Sequence, residues 1–450
     1  MISSFINYWD KTSFYLNRIV YYAAFTAAAL FMLSFLIEPL FTIAILLLVF
    51  LSIAVLIDFF LLYSRKNALH GVRSLPERLS NGDDNRIVVE LTNHYHFRIR
   101  CVVIEELPYQ FQERKWKREA DIDAGQVFQL DYFVKPLERG AYEFGNINVY
   151  VEGPLRMIRR RYIFEQEHTV KVYPSYIQMR RYQLLATGTH QQQTGVKRMR
   201  RLGHSMEFEQ IKEYVRGDDY RTINWKATAR HGDLMVNNFT DERSQQIYCV
   251  INKGRVMKMP FEGMTLLDYA INASLVLCSV AVQRQDKAGI ICFGQHIDAF
   301  IPADKKPTQI SQVMESLYKQ ETNFLEPDLE KLFSVVRNRI THRSLLVLFT
   351  NFETIESLER ELPSLKRLAH YHLLMVVFFE NTELKQLAES KATTIEDIYV
   401  KTIADKYRYE KQVIAKELQK HGIISVLTTP QKLTINSLNK YLELKQRQRI

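Results

Sequence analysis

Two uncharged apolar runs stand almost back to back near the start of the chain. Ile19–Ile37 reads IVYYAAFTAAALFMLSFLI, and Leu40–Ile57 reads LFTIAILLLVFLSIAVLI, with apolar residues continuing past Asp58 to Leu62. Each run is long enough to cross about 30 Å of hydrocarbon as a helix. Glu38 and Pro39 alone separate them. In lipid every backbone polar group must be bonded within its own helix, so such a pair is restricted to a helical hairpin. The length of the first run and the immediate start of the second argue against a cleaved leader. Lys11 and Arg18 precede the hairpin, Arg65, Lys66 and Arg73 follow it, and its turn holds no base. The positive-inside rule then predicts a two-pass protein with both termini cytoplasmic. Asp58 reads either as an interfacial carboxylate or as a proton-relay group. The competing reading of the hairpin is a pair of buried core helices.

A length of 450 residues implies two or three domains. The net charge of +10 suits a surface near anionic lipid or an acidic partner. Lys197–Arg201 is basic but lacks interleaved aromatics and a recognition helix, so no nucleic acid is expected. The four cysteines sit singly in apolar patterns without metal-ligand spacing, as buried reduced thiols do.

Beyond the hairpin the hydrophobic period falls to two. Ile87, Val89 and Leu91 share one face, as do Phe128, Leu130, Tyr132 and Val134, and Ile147, Val149 and Val151. Turn signals such as Asn81-Gly82-Asp83-Asp84 and Gly153-Pro154 divide these runs. The pattern predicts an antiparallel β-sandwich over residues 67–180. His94 and His96 alternate as two metal ligands on a strand face would, or are plain surface histidines. Arg159-Arg160-Arg161 reads as a charged strand edge or as a contact for anionic lipid headgroups.

From about Gln246 apolar strands alternate with amphipathic helices: Ile247–Ile251, Ala288–Phe293, Ser344–Thr350, His372–Phe379 and Ile423–Leu427 against helices at Leu266–Val282, Ile310–Tyr318, Leu329–Val336, a long one over Thr394–His421 and a last one from Leu433. This predicts a doubly wound α/β domain over 244–450, with a parallel sheet buried on both faces. The fold class is thus α+β multidomain: transmembrane helices at about 19–37 and 40–62 within 1–66, the β domain at 67–180, a linker with a charged segment at 181–243, and the α/β domain at 244–450.

The charged segment is GHSMEFEQIKEYVRGDDYRTINWKATAR, beginning at Gly203. The polar stretch Leu185–Met206 before and through its start reads as a mobile loop. Glu207–Val215 suits a short helix or strand, Gly217-Asp218-Asp219 a turn that caps the next helix, and Tyr220–Arg230 that helix, with Ile223 and Trp225 buried. Glu213, Asp218, Asp219, Arg221 and Arg230 offer acids and bases, but no nucleophile–base pair at a known spacing. A polar network or a partner-docking surface is the favoured reading, with no catalytic residue assigned. The alternative is a hydrolase or transferase centred on the Gly-Asp-Asp turn.

Gly203, Ser205, Glu213, Tyr214, Gly217, Asp218, Asp219, Arg221, Trp225 and Arg230 fall in a string that resembles the signature of the bacterial "domain of unknown function 58" family. The resemblance extends to the hairpin, the β domain with Lys135-Pro136 and Arg139-Gly140, and the α/β region. It implies a bacterial inner-membrane scaffold for protein binding, whose last domain is similar to a von Willebrand factor type A domain. It also implies a MoxR-type AAA+ ATPase partner and other von Willebrand-type membrane proteins, in envelope maintenance or complex maturation, with membrane lipids around the hairpin. Such domains often hold a divalent ion on an Asp-x-Ser-x-Ser loop and a later Asp. Here Asn252, Gly254 and Val256 replace the loop ligands, Thr322 is a loose match to the family's threonine, and Asn351 replaces the later Asp. A hard cation prefers carboxylate and hydroxyl oxygens, so no metal and no cofactor are expected at this degenerate site. Lys253 and Arg255 beside it read as bases that repel a cation, or that receive an acidic partner side chain.

Overall fold

The computed structural model describes residues 14–187, 207–215, 218, 220–240, 244–322, 324–389 and 394–447. The chain divides into two compact units, Met1–Val172 and Tyr173–Ile450.

In the first unit a short strand, β1 (Phe14–Leu16), leads into helices α1 (Arg18–Leu33) and α2 (Pro39–Tyr63). The Asn17 side chain caps α1 by accepting from the Arg18 N–H at 2.8 Å, and Pro39 opens α2, where its missing N–H costs nothing. Residues 34–38 form the turn, so α1 stops at Leu33 and is shorter than the expected span to residue 37. At 1.5 Å per residue α1 is about 24 Å long and α2 about 37 Å. Among the described residues two helices are long and apolar enough to cross a membrane, α2 and Leu266–Gln283. Only 11% of the first one's span is buried against 83% of the second's, so the latter is a core helix and α2 carries its apolar side chains outward.

Strands β2 (Leu69–Ser74), β3 (Arg78–Ser80), β4 (Asn85–Asn93), β5 (Ile99–Glu105), β6 (Lys117–Ile122), β7 (Val127–Val134), β8 (Gly140–Phe144), β9 (Ile147–Glu152), β10 (Ile158–Phe164) and β11 (His168–Tyr173) follow. They form sheets ordered β1-β10-β9-β5-β6, β2-β4-β7 and β3-β11-β8. Alternation sets the inward face: Ile87, Val89 and Leu91 on β4 are fully buried, as are Val149 and Val151 on β9, and all join one core. Arg73 is buried in this unit and pairs at 3.2 Å with buried Glu105, which also accepts from the Tyr132 hydroxyl at 2.8 Å. Burial pushes the Glu105 carboxyl up, against the pull of Arg73.

The last turns of α2 are bonded to the β strands. Asp58 is fully buried, and its carboxylate accepts the backbone N–H groups of Leu155 (3.1 Å), Met157 (2.8 Å) and Ile158 (3.1 Å). It therefore closes the β9–β10 turn, a role neither sequence reading of Asp58 contained. Gly153 makes room for it: a Cβ there would meet Asp58 Oδ1 at 2.0 Å. Arg160 donates to the carbonyls of Leu62 (2.6 Å), Arg65 (2.8 Å) and Lys66 (3.1 Å), capping the helix end, while Tyr95 also donates to Leu62. Arg159 pairs with Glu152 at 2.6 Å, and Arg161 bonds Asn148. The basic run is thus engaged within the unit, and β10 lies between β1 and β9, so the run is not on the sheet edge that its sequence suggests. His94 and His96 lie in a loop, not on a strand, and the Arg65 guanidinium contacts His96 Nε2 at 2.7 Å. A cation on that nitrogen opposes the metal reading.

The second unit holds α3 (Tyr176–Thr187), a two-stranded ladder of β12 (Glu207–Glu213) and β13 (Met235–Thr240) enclosing α4 (Trp225–His231), and a six-stranded sheet. That sheet uses β14 (Gln246–Asn252), then, past the small hairpin β15 (Pro260–Phe261) and β16 (Met264–Thr265), strands β17 (Lys287–Phe293), β18 (Ile297–Asp304), β19 (Leu345–Phe349), β20 (Leu373–Phe379) and β21 (Ile424–Thr428). Its order is β18-β17-β14-β19-β20-β21, parallel throughout except for the edge strand β18. The chain starts in the middle, winds out to one edge, then crosses to β19 and winds to the other. Around it lie α5 (Leu266–Gln283), α6 (Thr308–Tyr318), α7 (Leu329–Arg339), α8 (Ile355–Tyr371), α9 (Thr382–Glu389), α10 (Ile395–Lys420) and α11 (Leu433–Gln446). Helices α5, α6 and α11 pack with Ile247, Cys249 and Ile251, while α7, α8 and α10 pack with Tyr248 and Val250 on the opposite face. Cover on both faces explains the unbroken apolar strands. All four cysteines are free and buried.

Three helices of this unit, α3, α8 and α9, have no counterpart among the elements expected from the sequence. The clearest is α8, where a Thr354–Ser357 capping box precedes an inward stripe of Leu358, Leu362, Leu365 and Leu368 that Pro363 interrupts in sequence without breaking the helix.

Candidate functional site

The reversal of winding falls between β14 and β19, and a crevice at the carboxyl ends of the strands is where such sheets bind ligands. Asn252 ends β14, and Asn351 follows β19. Asn252 is almost fully buried. Its Nδ2 donates to Thr350 Oγ1 at 2.9 Å, and its Oδ1 accepts the Gly254 N–H at 2.7 Å, a local turn that fixes the loop. Gly254 has no space for a side chain, because a Cβ would meet Pro327 Cδ at 2.7 Å. Val256 and Asn351 line one small cavity of 60 Å³ with Arg255, Glu326 and Glu361. Burial pushes the Glu361 carboxyl up to about 7. Thr322 is half-buried in the loop that runs on to Leu325, whose carbonyl accepts the Arg255 N–H at 3.1 Å, and to Pro327. The fold therefore gathers Asn252, Gly254, Val256 and Asn351 at one end of the sheet, with the Thr322 loop beside them.

The donor set does not fit a divalent cation. The Asn252 oxygen is already bonded to a backbone N–H, and the Asn351 oxygen accepts the Lys411 ammonium at 2.9 Å. A cationic amine in that position opposes Mg²⁺, which takes oxygen ligands in octahedral array. Burial lowers the Lys411 amine to about 8, with Glu353 pulling it partly back. Lys253 is buried and paired with Asp298 at 2.7 Å, so it is spent inside the fold and does not receive a partner's acid.

The charged segment follows a different plan from the one its sequence implies. Glu207–Glu213 is a strand, and residues Tyr220–Thr222 form a 3-10 turn before α4. Asn224, not Asp218, caps α4, accepting the Ala227 N–H at 3.0 Å. The Asp218 carboxylate turns back to the Val215 N–H at 3.1 Å and to Lys212 at 3.0 Å, and these donors hold it below the usual carboxylate range. Gly232 ends the helix at a positive φ of 86°, which a side chain would strain. Trp225 is 70% exposed and Tyr220 68%, so the expected burial of Trp225 is corrected: a two-stranded ladder with one small helix offers too little surface to cover an indole. Glu213 and Arg230 are exposed, Tyr214 half-buried. Gly203, Ser205, Gly217, Asp219, the side chain of Arg221 and nearly all of the expected loop Leu185–Met206 lie outside the described residues. Among the described residues no group of three or more His, Cys, Asp or Glu could hold a metal.

Residues 210–415 match the family model "Protein of unknown function DUF58". A relative, "Uncharacterized protein YeaD" of Bacillus subtilis (strain 168), is 26% identical over 211 residues, covering 43% of this chain and 52% of its own. The chain thus spans about half the length of that curated relative. A solved structure, the conserved hypothetical protein BatB from Bacteroides thetaiotaomicron, overlaps 46% of this chain and 100% of its own at 10% identity, with a TM-score of 0.29. A likeness that slight carries no argument.

Proposed function

The chain belongs to the DUF58 family over residues 210–415, and from that premise we propose that it is an inner-membrane scaffold that presents a metal-free, von Willebrand factor type A-like domain to protein partners, a MoxR-type AAA+ ATPase among them. The observation that carries the reading is the end of the sheet. At the winding reversal two amides, a glycine and a buried lysine stand where a metal-dependent domain needs carboxylates, so this crevice is built for recognition without an ion. The sheet order, with one antiparallel edge strand, supports the von Willebrand-like reading, and the three sheets of the first unit support a sandwich-like one. The outward apolar surface of α2, with α1 beside it, supports an anchor in the bilayer with both termini cytoplasmic.

Exposed Trp225 and Tyr220 favour the charged segment as a docking surface over the hydrolase or transferase alternative, since aromatic anchors dominate binding hot spots. The test is affinity capture from solubilised membranes with wild type, Trp225→Ala and Arg230→Ala, read by mass spectrometry with and without ATP. An AAA+ ATPase held by wild type and lost by the folded variants is the expected result. Capture of no AAA+ protein by the wild type overturns the partner; a turnover activity lost in Asp218→Asn with capture intact favours the enzyme.

A further inference from the structure

Helix α10 is held to its domain by one side. Ala404, Ile414 and Leu418 are buried there, and Lys411 on the same side bonds Asn351. The opposite side carries Ile395, Tyr399, Thr402, Lys406, Tyr409 and Val413. Their spacing alternates between four and three residues, the seam by which one helix packs along another. Ile395 is 87% exposed and Tyr399 70%, and Ile398 and Tyr409 are exposed beside them. Single apolar residues in water are ordinary, but a row of them about 21 Å long marks a contact surface.

The charges say what covers it. From Ile395 to Tyr409 the helix has three acids, Glu396, Asp397 and Asp405, and three bases, Lys401, Lys406 and Arg408, so its net charge is zero. A helix that lies on anionic lipid is rich in bases on its polar side, and this one is not. Zero net charge also gives no pull on a strongly acidic or basic protein. The order of the signs suits a second α10. Glu396 flanks the start of the stripe, Lys406 lies within it ten residues on, and both are exposed. Two copies running parallel set Lys406 against Lys406. Two running antiparallel about Thr402 set each Lys406 within reach of the other copy's Glu396, and each Ile395 against the other copy's Tyr409.

We infer that this side of α10 binds a second copy of the chain, as an antiparallel helix pair with its twofold axis at Thr402. Such a contact is isologous and closes at two copies. It uses neither the charged segment nor the end of the sheet, and it is independent of the ATPase reading.

The test uses the full chain in detergent micelles. All four native cysteines are buried, so an added one is read alone. Under copper phenanthroline Thr402→Cys is expected to give a covalent dimer, because each thiol meets its own counterpart at the axis. Ile395→Cys is expected to give none, since its two thiols stand about 21 Å apart along the helices, beyond disulfide reach. Adding Tyr409→Cys to it is expected to restore the dimer. Glu396→Lys is expected to raise the dimer's dissociation constant about tenfold by sedimentation, with two ion pairs lost, and Glu396→Lys with Lys406→Glu to recover it. The two positions are ten residues apart on one helix, so this rescue cannot arise within one copy. No covalent dimer at Thr402, a dimer from Ile395→Cys alone, or a charge swap without recovery overturns the inference. With no dimer at Thr402, quenching of a bimane label on Thr402→Cys by brominated lipid in nanodiscs would give the stripe to the bilayer, and loss of a captured protein in Tyr399→Ser would give it to that protein.

Discussion

Replacing Asp58 removes the acceptor of three backbone N–H groups at 2.8–3.1 Å in a fully buried position. Hydrogen bonds to a carboxylate are worth about 1.5–3 kcal/mol each, and stranded donors cost about 1–3 kcal/mol more. Water reaching the emptied space recovers part of this, so Asp58→Ala should destabilise the first unit by about 3–5 kcal/mol. Asp58→Asn keeps one acceptor oxygen, which can serve Met157 and Ile158 together but then turns its NH₂ toward the Leu155 N–H; the loss should be about 2–3 kcal/mol. Gly153 supplies the internal control. Gly153→Ala would place a Cβ 2.0 Å from Asp58 Oδ1, so it should be costly alone and nearly free in the Asp58→Ala background. The assay is urea unfolding in detergent followed by Trp116, which is buried in the first unit's core, in a Trp9→Phe, Trp225→Phe background that leaves Trp116 as the one indole of the sequence. A 3–5 kcal/mol loss would lower the melting temperature by roughly 10 °C for a unit of this size. Asp58→Asn within about 0.5 kcal/mol of wild type, or additive effects of Asp58→Ala and Gly153→Ala, would refute the reasoning.

One further expectation concerns the same helix end and another the second unit. Arg160→Gln leaves the Leu62, Arg65 and Lys66 carbonyls short of donors and removes the contacts with the Tyr63 and Tyr162 rings; it should cost about 2–3 kcal/mol in the same unfolding assay, against under about 1 kcal/mol for Arg161→Gln. Lys411 has a folded-state pKa of about 8 against 10.5 for an ordinary lysine, so between those values the unfolded chain binds more protons, and the stability of the second unit should rise as pH climbs from about 8 toward 10.5. Lys411→Met should flatten that rise in a series of melting curves, and an unchanged slope would show the amine is not buried as described.

What was legible in the sequence was whatever repeats with a local period. The alternation at Ile87, Val89 and Leu91, and the unbroken apolar strands of the second unit, carry their own geometry, because neighbouring residues decide which face a side chain takes. The long helix α10 lies within a residue of its expected bounds, since Thr394 caps it and Gly422 follows it. Contacts that join distant residues left no such trace. Asp58 meets a turn about a hundred residues on, and Arg160 reaches back as far, so a carboxylate in an apolar helix and a basic run looked like separate surface features. At the sheet end the loss of metal ligands was readable from Asn252, Gly254 and Asn351, but the lysine that bonds Asn351 comes from a helix sixty residues later. Trp225 misled because helical propensity says nothing of how much surface a small ladder can offer.

The bonds at the end of α2 also decide how the first unit transmits movement. Asp58, Tyr95 and Arg160 attach the helix over its last two turns and the residues just beyond, so its end is bonded to the strands and not joined to them by the chain alone. A helix in a bilayer changes tilt as the hydrocarbon thickens or thins. With a free joint such a tilt would leave the strands where they are; were α2 the bilayer anchor proposed above, these bonds would turn its tilt into rotation of the strands attached to it, as a pointer fixed to its shaft turns with the shaft.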